Sequence, residues 1–319
     1  MLFPANKTFA FSILDDTDDS TLQNVKPVYD CLREYGFRTT KTVWPLDCPE
    51  GSRLFFAAET LQNKPYLNFV HDLVDDGFEL AFHGATMESS RRERTVQALE
   101  FLNKEFGSYP RLFCNHGQNK ENIYWGTKRL QTLLLRCLYR FASQGPIYYY
   151  SGEVEESEYF WGDLCRQYIK YVRNFTFTQL NMLDVNPQIP YRLRKTKYVN
   201  YWFSTTDAPN VRAFNRLLTR KSIDKLEHDG GVCIVSTHLG KGFAKEGNLN
   251  SATENVLKYL AKKRGWFVPV SDILDYLIEN RATNGIDFPQ QSKLEIHFVI
   301  NRLMGLRGHR QDGKDHTTG

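Results

Sequence analysis

The feature that most constrains the fold of this chain is a repeated order of local patterns. A short apolar run rich in β-forming residues is followed by a stretch with helical periodicity, and the order recurs. Such runs predict strands at residues 9–14, 37–43, 78–82, 112–114, 175–182, 199–204, 232–236 and 267–270. Neighbouring parallel strands need a crossover connection, usually a helix, so this order predicts a parallel sheet. Seven or eight such units with no flexible linker predict a single closed (β/α) barrel of mostly parallel strands.

The predicted helices and flanking segments complete this organisation. Helices are expected at residues 20–35, 60–76, 90–106, 128–142, 211–229, 252–264 and 271–279. Residues 1–285 form the barrel in this interpretation, and residues 147–163 are an aromatic and acidic insertion within it. Residues 286–311 are expected to be a C-terminal extension packed on the barrel, and the polar residues 312–319 a disordered tail.

Charge and hydropathy exclude several classes of protein. The 319 residues include 41 Lys and Arg and 37 Asp and Glu, a net charge of +4, so nothing predicts a nucleic-acid or anionic-membrane partner. No apolar run approaches the ~18–20 residues of a membrane-spanning helix. The six cysteines form no C-x-x-C motif and the first residues lack the charged segment of a signal peptide, so we expect a reduced, cytoplasmic protein. No glycine-rich nucleotide-binding motif follows a predicted strand.

Polar side chains follow most of the predicted strands. In parallel βα proteins the active site lies at the carboxyl ends of the strands, so these side chains are the candidates for chemistry. They are Asp15, Asp16, Asp18, Asp19, His83, Asn115, His116, Asp184, Asp207 and His238. Three of the chain's eight histidines are in this set.

Each candidate also has an ordinary structural interpretation. Asp18 and Asp19 are more readily explained as turn and helix-capping residues, whereas Asp15 and Asp16 directly follow a buried strand and favour function. Asp184 and Asp207 precede loop residues and are equally well explained as turn residues. A lone His83 or His116 is also compatible with a structural role. His238 follows a fully apolar strand and is harder to explain structurally.

Taken together, the set predicts a metal site. Two histidines and one carboxylate bind a divalent metal and leave positions open for water and substrate. A second carboxylate beside that site can take a proton from water, and a histidine across it can protonate a leaving group. These are the parts of a metal-assisted amide or ester hydrolase.

Three short stretches resemble motifs of the NodB-type polysaccharide deacetylases (carbohydrate esterase family 4). Residues 14–17 (LDDT) look like the first motif, residues 82–86 (FHGAT) like the histidine-bearing second, and residues 235–238 (VSTH) like the last. Residues 266–277 are similar to the closing strand and helix, so the resemblance spans roughly residues 9–278. The stretches NHGQN at 115–119 and YWG at 124–126 resemble the WbmS-like group of surface-polysaccharide gene clusters.

The resemblance implies a NodB-like barrel and a role for each matching residue. Asp15 would be the general base, Asp16 the metal carboxylate and His83 the first metal histidine. His238 would be the general acid. The cofactor would be a divalent metal, with zinc the leading candidate.

The sequence departs from the family pattern at two places. Met87 occupies the position of the second metal histidine, and Arg111 lies too early to match the arginine of the third motif. We infer that His116 supplies the missing ligand from the neighbouring strand, so that Asp16, His83 and His116 hold the metal. The competing inference is that the metal site has decayed and that the barrel no longer hydrolyses anything.

Other residues are candidates for contact with substrate: Asn115, Trp125, Trp161, Asp184 and Asp207. The aromatic insertion could stack on sugar rings, or it could simply pack on the barrel. The basic run at residues 192–197 could reach a nucleotide-sugar diphosphate, or it could be a solvated edge.

The leading hypothesis is a metal-dependent hydrolase that removes an acetyl or other acyl group from an amino sugar or related carbohydrate in surface-polysaccharide metabolism. Its partner would be a small-molecule or oligosaccharide substrate. The alternatives are an inactive barrel that binds carbohydrate or a partner protein, and a metal-dependent amidohydrolase of a non-sugar substrate.

Overall fold

The computed structural model describes residues 2–52, 58–143, 149–281 and 285–312. The strands are β1 Phe9–Asp15, β2 Thr40–Val43, β3 Glu79–Phe82, β4 Leu112–Phe113, β5 Tyr171–Phe177, β6 Tyr201–Asp207, β7 Gly231–Thr237, β8 Ala244–Lys245, β9 Asn248–Leu249 and β10 Gly265–Phe267. The helices are α1 Leu22–Glu34, α2 Lys64–Asp75, α3 Arg92–Phe106, α4 Leu133–Ser143, α5 Gly162–Tyr168, α6 Met182–Val185, α7 Val211–Leu217, α8 Arg220–Asp229, α9 Ser251–Leu260, α10 Val270–Asn280 and α11 Phe288–Asp312. Short 3-10 helices lie at Pro4–Asn6 and Gly126–Arg129.

The strands β1 to β7 form a closed barrel. They pair in chain order, every pair is parallel, and β7 closes the ring by pairing with the whole length of β1. The strand β10 pairs with the first half of β1 and lies outside the ring. The predicted single barrel of parallel strands is therefore confirmed, and the eighth parallel strand is an addition to its outside.

The central strand β1 shows why the sequence pattern predicts this fold. All seven of its residues are buried, because helices and neighbouring strands cover both of its sides. The rings of Phe9 and Phe11 pack edge-on against Phe267 of β10, and Phe11 also contacts Phe37. A strand buried on both sides has no solvent-facing positions, so it reads as an almost continuous apolar run rather than as an alternation.

Several predicted element bounds differ from the structure, and two of the differences have a clear physical reason. The stretch 211–229 forms the separate helices α7 and α8, because Thr219 accepts a hydrogen bond from the Ser222 N–H and caps a new helix. The predicted strand 175–182 is β5, which begins four residues earlier, at Tyr171. Arg173 and Asn174 interrupt the apolar pattern of β5 and hid its first half.

The segments outside the regular units pack on the barrel. From Tyr149 to the start of α5 the aromatic insertion is irregular, and residues 144–148 lie outside the described residues. The helix α11 packs against α4 and β5, where Phe298 stacks on Phe175. Asp312 ends α11, and the rest of the predicted tail, residues 313–319, lies outside the described part of the chain. Within the described residues, no helix is both long and apolar enough to cross a membrane.

Candidate active site

A cavity of about 230 Å³ opens at the carboxyl ends of the barrel strands. Its walls carry an unusual concentration of ionisable side chains from eight separate segments. They are the carboxylates Asp16, Asp18 and Asp207, the histidines His83, His116 and His238, and the arginines Arg129, Arg173 and Arg302. The cavity lies where the sequence predicts chemistry in a parallel barrel.

A tight turn after β1 carries Asp18 into this cavity. The Ser20 N–H donates a hydrogen bond to the Thr17 carbonyl at 3.0 Å, and Asp19 between them has a φ of 58°. Aspartate tolerates this left-handed conformation better than most residues. The turn packs tightly on the loop after β7, because a Cβ at Gly240 would lie 2.4 Å from the Asp19 carbonyl oxygen. The turn interpretation of residues 18 and 19 is thus correct for the backbone, and the turn is what exposes Asp18 to the cavity.

Asp18 is the carboxylate that the structure places beside the histidines. Its Oδ1 lies 3.3 Å from Nε2 of His83 and 3.5 Å from Nε2 of His116, and its Oδ2 lies 3.4 Å from Nε2 of His238. Burial raises the pKa of Asp18, but the contacts with His238 and His83 outweigh burial and hold that pKa well below its usual range. Asp18 is therefore ionised at neutral pH.

Second contacts fix the orientation of the imidazole rings. Nδ1 of His83 lies 2.9 Å from the Cys114 carbonyl oxygen, and because a carbonyl only accepts, Nδ1 carries the proton and Nε2 keeps a lone pair in the neutral ring. Burial lowers the pKa of His116 to about 4, and repulsion from His83 adds to the effect, so His116 is neutral near pH 7. Trp44 packs against both rings.

This geometry fits a divalent cation. Ligand atoms of Asp18, His83 and His116 all lie within 4.8 Å of one another. Atoms bound at about 2.0–2.2 Å to one tetrahedral ion lie about 3.3–3.5 Å apart, which matches the separations between Asp18 and the two histidines. Oδ1 of Asp18 is buried and has no hydrogen-bond partner among the described residues. A cation between these atoms would bind Asp18 Oδ1 and the two imidazole nitrogens at once.

Met87 packs in an apolar cluster beside the histidines. Met87 is buried in a small cluster with Trp44, Cys48 and Ala58, and Trp44 in turn contacts the rings of His83 and His116. The place of a histidine in the family motif is therefore filled by packing that supports the two histidines present.

Asp15 is sealed inside the barrel. Lys41 Nζ donates to its Oδ2 at 2.9 Å, the Tyr29 hydroxyl donates to the same oxygen at 2.8 Å, and the Leu239 N–H donates to Oδ1 at 2.8 Å. Asp15 and Lys41 are register partners on β1 and β2, and both side chains are fully buried. Asp15 does not line the cavity, and its two oxygens are already engaged.

Asp16 lines the cavity and pairs with an arginine. Arg173 Nη1 on β5 donates to Asp16 Oδ2 at 2.6 Å and to Ser236 Oγ at 2.5 Å. Oδ1 of Asp16 is buried and accepts no hydrogen bond from the described residues. The pairing leaves one oxygen of an oriented carboxylate available to a bound molecule.

His238 faces Asp18 from the end of β7. Its Nδ1–H donates to the Pro209 carbonyl at 2.8 Å, which directs Nε2 into the cavity. Burial lowers the pKa of His238, but the contact with Asp18 and the charge of Asp16 outweigh it and raise the pKa above its ordinary value. His238 therefore holds its proton to a higher pH than a free histidine.

The predicted substrate contacts divide into two groups. Trp125, Asn115 and Asp207 line the cavity. Trp161 is fully buried, donates its indole N–H to the Glu121 carbonyl at 2.7 Å and packs on Phe113, so it belongs to the core.

Asp184 and the basic run 192–197 lie away from the cavity. Asp184 accepts a hydrogen bond from Asn181 within α6 and its cap. The basic run precedes β6, where Arg192 Nη2 donates to the Tyr201 hydroxyl at 2.6 Å, so it lies at the amino end of the barrel. It lines a separate cavity of about 580 Å³ there.

Sequence reasoning overlooked the three arginines at the cavity. Arg173, which is only 6% exposed, lies two residues before the predicted strand 175–182, and that position is the signal that could have found it. Arg129 lay inside a stretch predicted as helix, and Arg302 lay in the extension. No local pattern connects either of them with a site at the strand ends.

No protein-family model matches this sequence, and no curated protein is found similar to it. Solved structures share its fold. A Mycobacterium smegmatis protein described as a polysaccharide deacetylase is 12% identical with a TM-score of 0.52, over 90% of this chain and 96% of that one. One from Pseudomonas aeruginosa PAO1, described in the same way, is 12% identical with a TM-score of 0.52, over 88% and 94%. PuuE allantoinase is 11% identical with a TM-score of 0.51, over 88% and 93%. The expected NodB-like fold is confirmed.

Proposed function

We propose that this protein is a metal-dependent hydrolase that removes an acetyl or other acyl group from an amino sugar or related carbohydrate. The observation that carries the proposal is the convergence of Asp18, His83 and His116 at the carboxyl end of a NodB-like barrel. Asp16 and His238 line the same cavity and supply the two remaining chemical roles.

The metal would be held by Asp18, His83 and His116. A divalent ion there, for which the two nitrogens and one oxygen favour zinc, supplies Lewis-acid activation of the acyl carbonyl and of a water molecule. Asp16 was the expected carboxylate ligand, but its closest cation is Arg173 at 2.6 Å, while Asp18 lies 3.3 Å from His83. These contacts favour Asp18 as the ligand.

Asp16 is the better candidate for the general base. Asp15, which the resemblance implies for this role, is fully buried and accepts three hydrogen bonds away from the cavity. Arg173 holds one oxygen of Asp16, and the other oxygen accepts no hydrogen bond from the described residues and is the proposed proton acceptor for water. This assignment uses an ion pair that the sequence motif alone does not reveal.

His238 is the proposed general acid. Its Nδ1–H is held by the Pro209 carbonyl, so Nε2–H can point at a leaving amine or alcohol. The raised pKa means that this nitrogen holds its proton to a higher pH than an ordinary histidine does. A place in cytoplasmic surface-polysaccharide metabolism belongs to the proposal as an expectation from the sequence.

A second candidate is the hydrolysis of a non-sugar amide by the same residues. The similarity to an allantoinase at nearly the same TM-score as the deacetylases favours it. Both reactions break an acyl bond with an activated water, so the cavity chemistry is shared and the substrate decides between them.

Metal content and substrate release test the proposal together. Purified protein is analysed for zinc and other divalent metals by mass spectrometry, and acetate release is measured on acetylated monosaccharides, nucleotide-sugars and oligosaccharides. Hydrolysis of non-sugar amides and ureides is measured in parallel. Stoichiometric metal with acetate release supports the deacetylase, and turnover only of non-sugar amides supports the second candidate. Protein without metal affinity and without turnover would point to a binding barrel.

A further inference from the structure

Two arginines project into the cavity from elements that carry no metal ligand. Arg129 ends the 3-10 helix that follows the Asn115–His116 loop, and Arg302 lies on α11 in the C-terminal extension. Neither forms a salt bridge with any residue that the structure describes, and Asp207, which lines the same cavity, hydrogen-bonds to neither. This is unusual for Arg129, which is buried, because buried charges are normally paired.

The surroundings of Arg129 are aromatic rather than acidic. Its guanidinium lies 4.1 Å from the centre of the Trp125 ring and 4.7 Å from that of Phe298. Arg129 is only 5% exposed. Its Nε makes a long contact of 3.4 Å with Asn174 Oδ1, and its Nη2 is buried with no partner among the described residues.

Arg302 also has few hydrogen-bond partners among the described residues. Its Nη2 donates to the Thr176 hydroxyl at 3.1 Å, while its buried Nε has no hydrogen-bond partner in the described part of the chain. Burial lowers the pKa of Arg129 to about 9, and repulsion from Arg302 and Arg173 contributes. Without an anion between them, each guanidinium group therefore makes it less favourable for the other to carry its charge.

Arg173 provides the contrast within the same cavity. It is as deeply buried as Arg129, but Asp16 neutralises it at 2.6 Å. The carboxylates of Asp16 and Asp18 are thus already matched, by Arg173 and by the histidines. Neither of the two remaining arginines has a carboxylate within salt-bridge distance among the described residues, and both line the cavity.

We propose that Arg129 and Arg302 form an anion subsite, and that the substrate carries a carboxylate or phosphate group in addition to the acyl group that is removed. This inference rests on the proposed function and deepens it by naming the substrate class, an acidic acylated sugar. Arginine suits the task because its planar donors match the oxygens of both groups. The Trp125 face beside Arg129 can cover the apolar face of the same sugar.

A matched set of ligands tests the subsite. N-acetylglucosamine, its uronic acid and its 6-phosphate differ at one carbon, as a hydroxyl, a carboxylate and a phosphate. Their affinities are measured by calorimetry on the protein as purified, together with that of inorganic phosphate. We expect the two acidic sugars to bind about 10- to 100-fold more tightly than the neutral one, as for hydrogen bonds to a charged group. The acidic sugar that binds more tightly identifies which anion the subsite selects.

Three variants assign the effect to the arginines. Arg129→Gln and Arg302→Gln should each abolish the preference for the acidic sugars and leave the affinity for N-acetylglucosamine within about twofold. Arg216→Gln on α7, an exposed arginine away from the cavity, removes the same charge and should change nothing. Because Arg129→Gln removes a buried unpaired charge, it should fold at least as well as the unmodified protein, which circular dichroism and thermal unfolding can check.

The outcomes separate this inference from the proposed function. Phosphate that binds at the metal persists in both arginine variants, so only the part lost in them counts as subsite binding. If the variants bind inorganic phosphate and both acidic sugars as the unmodified protein does, the subsite is overturned even when acetate is released. If the charge preference depends on both arginines but no ligand is deacylated, the subsite stands and the deacylation proposal fails.

Discussion

The end of β1 and the turn that follows it contain acidic residues in very different environments. Asp15, the last residue of β1, is fully buried and satisfied by Lys41, Tyr29 and the Leu239 N–H. Asp18, three residues later, contacts titratable histidines at the wall of a cavity. The comparison teaches that a carboxylate with both oxygens hydrogen-bonded inside the barrel stabilises the fold. A carboxylate that faces histidines at a cavity wall is available for chemistry.

Asp16 lies between these two cases. Arg173 donates to one of its oxygens at 2.6 Å, while its other oxygen is buried and accepts no hydrogen bond from the described residues. The charge is therefore stabilised and the proton-accepting site is open. This combination is what a general base needs, and it distinguishes Asp16 from both neighbours.

The largest expected effect is on turnover. Asp16→Asn removes the proposed base and should lower kcat by about 10²–10⁴-fold, with metal binding preserved. Initial rates of acetate release measure it. Asp19→Asn is the control, because Asp19 lies in the same turn with its side chain 56% exposed and should keep full activity. Unchanged turnover in Asp16→Asn would return the role of base to Asp15.

Removing the partner of Asp15 should mainly affect stability. Lys41→Met leaves a carboxylate buried without its cation and should lower the free energy of unfolding by about 3–5 kcal/mol. Urea denaturation measures the change. The control is Lys26→Met, which removes the exposed ion pair with Asp30 and should cost less than about 1 kcal/mol. Equal effects of the two variants on the free energy of unfolding would contradict the role of Asp15 as a buried, structural carboxylate.

Metal affinity should distinguish Asp18 from Asp16. Asp18→Asn removes a proposed ligand and should weaken zinc binding by more than about 100-fold, since even the loss of an outer partner costs 10–100-fold. Competition with a chromogenic chelator measures the dissociation constant. Asp16→Asn and Asp19→Asn should bind zinc as the unmodified protein does. Loss of zinc in Asp16→Asn alone would restore Asp16 as the ligand.

Replacing a buried carboxyl that has no cation should have the smallest effect, and it should stabilise the protein rather than destabilise it. Glu121 is 2% exposed, forms no salt bridge within the described residues, and burial raises its pKa from 4.5 to about 7. Between those pH values the folded state binds more protons than the unfolded state, so stability falls as the pH rises. Glu121→Gln should remove this slope and raise the free energy of unfolding at pH 8 by roughly 2–3 kcal/mol.

Urea denaturation at pH 5 and pH 8 measures that difference. Glu246→Gln is the control, because Glu246 has a side chain that is 81% exposed and should leave the pH dependence unchanged. A pH slope that persists in Glu121→Gln would show that another group carries it.

The fold was largely predictable because its signals are local. Most strands of the ring contain a short run of apolar or β-branched residues, and most of the following helices have their own periodicity, so the order of elements implies a parallel barrel. The start of β5 was predicted too late because its first half lacks this local signal. Arg173 and Asn174 break the apolar run, and only their partners Asp16 and Tyr191 explain why polar groups are buried there.

The sequence by itself determined that a parallel barrel forms and that histidines and carboxylates gather at one end of it, because both follow from local periodicity and the direction of the strands. Only the tertiary structure decided which carboxylate does what. Lys41 closes over Asp15, Arg173 holds Asp16, and the left-handed turn at Asp19 presents Asp18 to the histidines. Those partners lie 26 and 157 positions away in the two ion pairs, so their effect depends on packing that no short motif contains.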